Sequence, residues 1–233
     1  MSAQVLGISG SPIPNSNTDR AVRHILEHTG LETDFIKLSE LTIEPCRACL
    51  GCKESNRCVV EDDGPALAER FAAAKAFVLG AFTPYSSLDA RSKAFMERMY
   101  CLRHQTGLNR GKVGAAVITA ACPPENPNLP PAAKIATSQV EFWMMEEGMV
   151  NVGTMVVLGN VPCIRCGHGD DCPMTGVTML HGPNATVEAI GVNRFEDSPV
   201  PGQRAAELAA RIRQAVLAPQ TDQPVSADAT SST

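Results

Sequence analysis

Seven of the nine cysteines in this 233-residue chain fall into two short groups, Cys46, Cys49, Cys52 and Cys58, and then Cys163, Cys166 and Cys172. Cysteines that only pack as small apolar residues scatter through a core, so this clustering points to metal binding or redox chemistry. The odd number excludes a complete disulfide framework, and the reduced thiols of a cytoplasmic protein are the expectation here. In the first group, Cys46-x2-Cys49-x2-Cys52-x5-Cys58, three thiols at three-residue intervals can converge on one small object only if the backbone curls around it. A cubane [4Fe-4S] cluster demands that convergence, and ferredoxin-type loops have this compact form. A four-thiolate zinc site needs as many sulfurs but usually takes them as two separated pairs. The second group, Cys163-x2-Cys166-x5-Cys172, repeats the spacing of Cys49, Cys52 and Cys58, with Gly167, His168 and Gly169 loosening the loop. Three thiols need a fourth ligand, which Cys122, Cys101, His168 or His181 could supply. The group could hold zinc, a second iron–sulfur cluster with one open iron, or no metal.

A second kind of chemistry is written into residues 7–18, Gly-Ile-Ser-Gly-Ser-Pro-Ile-Pro-Asn-Ser-Asn-Thr. Small hydroxyl and amide side chains precede a helical pattern, and the free N–H groups of a helix amino terminus suit a phosphate monoester. No Gly-Lys-Ser/Thr follows and no G-x-G-x-x-G is present, which sets aside a Walker loop and a dinucleotide fingerprint.

The elements that must position these loops alternate. Apolar, strand-like runs lie at 5–8, 33–38, 76–82, 113–119 and 149–158, and helical spacing lies at 17–29, 62–74, 87–104, 130–147 and 203–217. Five strand–helix pairs predict an α/β fold, a doubly wound five-stranded parallel sheet with helices on both faces and ligands beyond the carboxyl ends of its strands. The expected organisation is one domain over 1–217, with cysteine-rich loops at 45–60 and 160–200 and a disordered tail at 218–233. Asp62 and Asp63 read as caps of the second helix, His24 and His28 as a solvated face without a third ligand, and Trp143, Met144, Met145 and Met149 as core, with Trp143 near the ligand edge.

The Gly10-Ser-Pro12 and Asn15-Ser-Asn-Thr18 segments, with Thr83-Pro-Tyr-Ser-Ser-Leu88 followed by Lys93-Ala-Phe95 and Arg98, resemble the phosphate and isoalloxazine loops of the flavodoxin-like, NADPH-dependent FMN reductase superfamily. Joined to a compact cysteine run after the second strand, they are similar to the iron–sulfur flavoproteins of that superfamily, which hold a [4Fe-4S] cluster. The resemblance implies a flavodoxin-like fold with FMN. It assigns Ser9, Ser11, Pro12, Ser16, Asn17 and Thr18 to the phosphate side, Pro84, Tyr85, Ser86, Ser87 and Leu88 to the ring, and Thr119 to the third loop. That third loop departs from the glycine-rich stretch of the family, continuing as Cys122-Pro-Pro-Glu-Asn-Pro127.

A net charge of -5 with dispersed Lys and Arg gives no footprint for nucleic acid, and no apolar run is long enough to span a bilayer. The function expected is electron transfer between the cluster and FMN, from a donor protein such as ferredoxin to a small-molecule acceptor. A first alternative is a NAD(P)H-dependent FMN or quinone reductase with structural cysteines, and a second is a metal-binding or sensor protein with a vestigial flavin site. The resemblance also implies a homodimer or homotetramer.

Overall fold

Five apolar runs and the helices between them assemble in the alternating order that the periodicity predicts. The computed structural model describes residues 3–122 and 128–218. The strands are β1 (Val5–Ser9), β2 (Thr33–Lys37), β3 (Ala76–Phe82), β4 (Val113–Ala120) and β5 (Val150–Leu158). The helices are α1 (Asn17–Thr29), α2 (Gly64–Ala73), α3 (Ala90–Arg98), α4 (Ala132–Glu146), two short helices α5 (Gly176–His181) and α6 (Val187–Ile190), and α7 (Pro199–Leu217). All strand pairs are parallel, in the order β2-β1-β3-β4-β5. This is the flavodoxin-like order, whose direction reverses between β1 and β3.

Successive strand residues face opposite sides, so each strand feeds two cores. Val5, Val78, Ala115 and Val117 pack under Val22, Ile25, Leu208 and Ile212 of α1 and α7. Leu6, Ile8, Phe77, Leu79 and Ile118 pack against Phe71, Phe95, Val140 and Met144 of α2, α3 and α4. Burial on both faces explains why β3 and β4 read as unbroken apolar runs instead of alternating ones. Gly7 and Gly80 let α1 lie directly on the sheet: a Cβ at Gly7 would sit 2.5 Å from Leu26 Cδ1, and one at Gly80 would sit 2.6 Å from Val22 Cγ2. The amino end of α1 is thereby held over the carboxyl ends of β1 and β3.

The structure shifts several boundaries. The third helix, expected over 87–104, starts at Ala90 because Asp89 takes the N-cap, accepting the Ser92 amide at 2.9 Å. Beyond Arg98 it tightens into a 3-10 turn, Met99–Leu102, as helix ends often do. The last helix begins at Pro199, not 203, because Ser198 caps it and proline suits the first turn. Of the two expected caps of α2, Asp62 Oδ1 accepts the amide of its first residue, Gly64, at 2.8 Å, whereas Asp63 takes the N-cap position without a side-chain cap bond and accepts the Thr42 amide at 2.7 Å. Met145 is 63% exposed, so the methionine-rich segment is not wholly core. Trp143 is buried against Phe71, Phe77 and Phe95. The proposed tail beyond Ala218, and residues 123–127 of the third loop, lie outside the described residues.

Candidate flavin and iron–sulfur sites

The loops after β1, β3 and β4 meet at the carboxyl edge, and Thr119 ties them together. Its hydroxyl accepts from Thr18 Oγ1 at 2.9 Å, and its carbonyl accepts from Thr83 Oγ1 at 3.4 Å. The loop after β1 is built around a capping box: Ser16 Oγ accepts the Asp19 amide at 3.1 Å and Asp19 Oδ2 accepts the Ser16 amide at 3.3 Å. Asp19 is buried and also accepts from Ser9 Oγ at 2.6 Å. A buried carboxylate would repel a phosphate, but Lys37 Nζ lies 2.6 Å from Asp19 Oδ2 and donates to the Ile13 carbonyl. Lys37 thus neutralises the loop from β2. Sequence reasoning missed it, because one lysine at a strand end gives no signal.

The side chains assigned to the phosphate do unequal work. Ser9, Ser16 and Thr18 are engaged in these bonds, and Asn17 spans a long gap: its Nδ2 donates to the carbonyls of Leu158 and Asn193, and its Oδ1 accepts the Phe195 amide. Ser11 accepts the Ile13 amide at 3.3 Å, and Pro12 is exposed. What the loop offers an anion is the first turn of α1, where the amides of Asn17 and Thr18 have no intrahelical carbonyl.

Pro84–Ser86 is a 3-10 turn distorted by left-handed backbone at Tyr85 (φ 50°) and Ser86 (φ 60°). Non-glycine residues in that region carry strain, which functional loops often retain. The turn leaves Tyr85 fully exposed, so it is not the half-buried packing residue of an ordinary loop. Leu88 is buried, and Gln139 of α4 holds the loop, its Oε1 accepting the Leu88 amide at 3.0 Å and pairing with Ser87 Oγ at 3.3 Å. Asp89, beneath, accepts the amides of Ser92 and Phe82. Burial pushes its carboxyl pKa up despite those bonds. Asp89→Ala should lower stability by about 1–2 kcal/mol, the cost of a lost N-cap, and weaken FMN binding; urea unfolding and flavin titration read the two effects.

The first cysteine group curls as its spacing requires. Ala48 (φ 49°) and Leu50 (φ 57°) take left-handed backbone between the cysteines, and the Ala48 amide donates to Cys46 Sγ at 3.4 Å. Cys46, Cys49, Cys52 and Cys58 line one cavity with Arg98, Tyr100 and Cys101. Asn56 pins the loop, its Nδ2 donating to the carbonyls of Cys101 and His104. At its base Arg98, 1% exposed, makes a two-pronged pair with Asp62, Nη1–Oδ2 2.5 Å and Nη2–Oδ1 2.8 Å, and donates to the Glu44 carbonyl. Burial raises the Asp62 carboxyl, but the hydrogen bonds from Arg98 and from the Glu44 and Gly64 amides outweigh it and bring its pKa down to about 2. Burial lowers the Arg98 pKa, and Asp62 and the facing Cys58 thiol more than restore it. The buried Nε of Arg98 has no hydrogen-bond partner among the described residues.

Among the described residues, the sole set of three or more potential ligand atoms all within 4.8 Å of one another is His24, Glu27 and His28 on α1. Glu27 is thus the third group that the sequence reading did not see there, on the half of α1 away from the phosphate loop. No three cysteine sulfurs are packed so closely. A tetrahedral zinc with bonds of about 2.3 Å holds its sulfurs about 3.8 Å apart. A cluster puts several irons between its cysteines and spreads them wider. The first loop brings four thiols to one cavity, the donor set that either a four-thiolate zinc or an iron–sulfur cluster takes. Cys101, pushed up to about 11 by burial and the Cys58 and Cys52 charges, stays a thiol behind it.

Residues 3–155 match the NADPH-dependent FMN reductase family. The chain belongs to that family. The name of that family couples FMN to reduction by NADPH. It is 37% identical over 121 residues to an iron–sulfur flavoprotein of Methanocaldococcus jannaschii, covering 51% of this chain and 62% of that protein, less than two thirds of its length. It is 28% identical over 161 residues to an iron–sulfur flavoprotein of Methanosarcina thermophila, covering 68% of this chain and 81% of that one. RosB with bound 8-demethyl-8-formylriboflavin-5'-phosphate superposes with a TM-score of 0.61 at 12% identity, over 91% of this chain and 78% of RosB, a likeness of fold. No described helix is long and apolar enough to cross a membrane.

The second cysteine group lies beyond the matched region, in the connection from β5 to α7. Cys163 and Cys172 are half-buried and Cys166 is exposed. Of the fourth ligands the sequence left open, Cys101 belongs to the first cavity. Cys122 stands two residues past β4 on the carboxyl edge, and His168 and His181 are exposed.

Proposed function

We propose that the chain binds FMN at the carboxyl edge and a [4Fe-4S] cluster through Cys46, Cys49, Cys52 and Cys58, and transfers electrons from a protein donor such as ferredoxin to a small acceptor. The observation that carries this is the cavity in which four thiols converge beside a buried arginine with an unpartnered Nε. When bound, FMN supplies one- and two-electron chemistry and a cluster one-electron chemistry, which suits a relay. The residues do the rest. The first turn of α1 and Lys37 balance the charge around the phosphate, Tyr85 and Leu88 present the ring face, and Gln139 fixes their loop. Arg98 holds the base of the cysteine loop through Asp62 and the Glu44 carbonyl.

Family membership favours a second reading, in which NAD(P)H gives hydride directly to the flavin and the cysteines are structural. Anaerobic stopped-flow mixing separates the two. The relay predicts slow flavin bleaching with NADPH alone and at least tenfold faster bleaching when reduced ferredoxin is added; fast bleaching by NADPH alone overturns it. Self-association is part of the reading, and the exposed Tyr100, Phe142 and Met145 offer apolar surface for a second copy. Light scattering that finds a monomer would remove that part.

A further inference from the structure

We propose that the β5–α7 connection is a second iron–sulfur site, in which Cys163, Cys166 and Cys172 hold a [4Fe-4S] cluster through three thiolates, leaving one iron without a protein sulfur. Each of the three sulfurs accepts a backbone N–H: from Gly176 to Cys163 at 3.2 Å, from His168 to Cys166 at 3.4 Å, and from Met174 to Cys172 at 3.4 Å. A neutral thiol is a weak acceptor, so three amides aimed at three sulfurs is the environment of bound thiolates, and such bonds tune cluster potentials. Two of the three come from the second residue after the cysteine, as the Ala48 amide does for Cys46 in the first loop.

The loop is wound tightly around these cysteines. A Cβ at Gly169 would sit 2.4 Å from the Cys163 carbonyl, so only glycine lets the two strands of the loop approach. Thr175 Oγ1 donates to the Gly169 carbonyl at 2.6 Å, the Cys172 amide to the His168 carbonyl at 3.0 Å, and the Val187 amide to Asp170 Oδ1 at 2.7 Å. Yet the buried side chains between residues 159 and 198 are few: Val161, Thr175, Val177 and Phe195. So small a core does not order a stretch of about forty residues, and chains in that position use metal or covalent staples. Asn17 and Asn160 both donate to the Asn193 carbonyl, which anchors this loop to the start of α1 beside the proposed flavin phosphate.

The test is metal content of the full chain purified and reconstituted without oxygen, compared with the Cys163→Ser/Cys166→Ser/Cys172→Ser triple variant and with Cys52→Ser. The wild type should carry about eight irons and eight sulfides per chain, and each variant about four. Mild oxidation of the wild type and of Cys52→Ser should release one iron and give a three-iron EPR signal that the triple variant lacks. Iron near four in the wild type and unchanged in the triple variant overturns the proposal, as does about one zinc per chain that the triple variant loses. Four irons lost from the triple variant and none from Cys52→Ser would support this site while overturning the cluster assigned to the first loop.

Discussion

Arg98→Met should lower the unfolding free energy by about 3–5 kcal/mol, because it leaves the Asp62 carboxylate buried opposite an apolar side chain. For a chain of this size that is a fall of roughly 10 °C in melting temperature. Asp62, 4% exposed, would keep only the Glu44 and Gly64 amides. Arg98→Lys should recover part of the loss, since it restores charge but not the two-pronged geometry. The pair also has an acid signature. Asp62 is held at about 2, below the ordinary value of 3.8, so its stabilisation is complete above pH 3.8 and is lost as pH falls towards 2. Across the whole window that is worth about 2 kcal/mol, about half of it lost by pH 3, and urea unfolding at pH 7 and pH 3 should show that half in the wild type and not in Arg98→Met. An unchanged melting temperature in Arg98→Met would mean that the pair does not hold the loop.

Cys52→Ser should remove about four irons and the share of the brown absorbance that they carry, while leaving FMN bound within a factor of about three of the wild-type affinity. The expectation follows from where the residues sit. Cys52 lines the cavity against the far end of α3 with Tyr100 and Cys101, whereas the flavin loops meet at the opposite end of that helix, around Thr83, Asp89 and Thr119. Cys101→Ala is the matching control. Its thiol lines the same cavity but stands outside the four-cysteine string of residues 46–58, so iron content should not change. Iron and flavin spectra of the two variants decide it, and loss of FMN with the iron in Cys52→Ser would show that the two sites are one.

Much of the architecture was legible because it is local. Period-two and period-3.6 patterns are imposed by backbone geometry, so 5–8, 76–82 and 113–119 could be read as strands and 17–29 as a helix without knowing their neighbours. The boundaries that moved did so for local reasons that were weighed wrongly: Asp89 and Ser198 are good N-caps, and each displaced the expected start of its helix by three or four residues. Tyr85 shows the limit of composition. The resemblance assigns it to the flavin ring, but residue type does not show how far it stands out, and the paired left-handed residues 85 and 86 leave it fully exposed.

By itself the sequence determined the order of strands and helices, the loops that face a ligand, and the two strings of cysteines, since all of these depend on residues close together in the chain. The tertiary structure alone decided which polar groups are spent inside the fold. Lys37 meets Asp19, Arg98 meets Asp62, Gln139 meets Ser87, and Asn17 meets Asn193 because β1 lies between β2 and β3 and the carboxyl ends of all five strands share one edge. Such pairs join segments from 18 to 176 positions apart, and their partners are set by strand order and the direction of each crossover, which no short window of sequence contains.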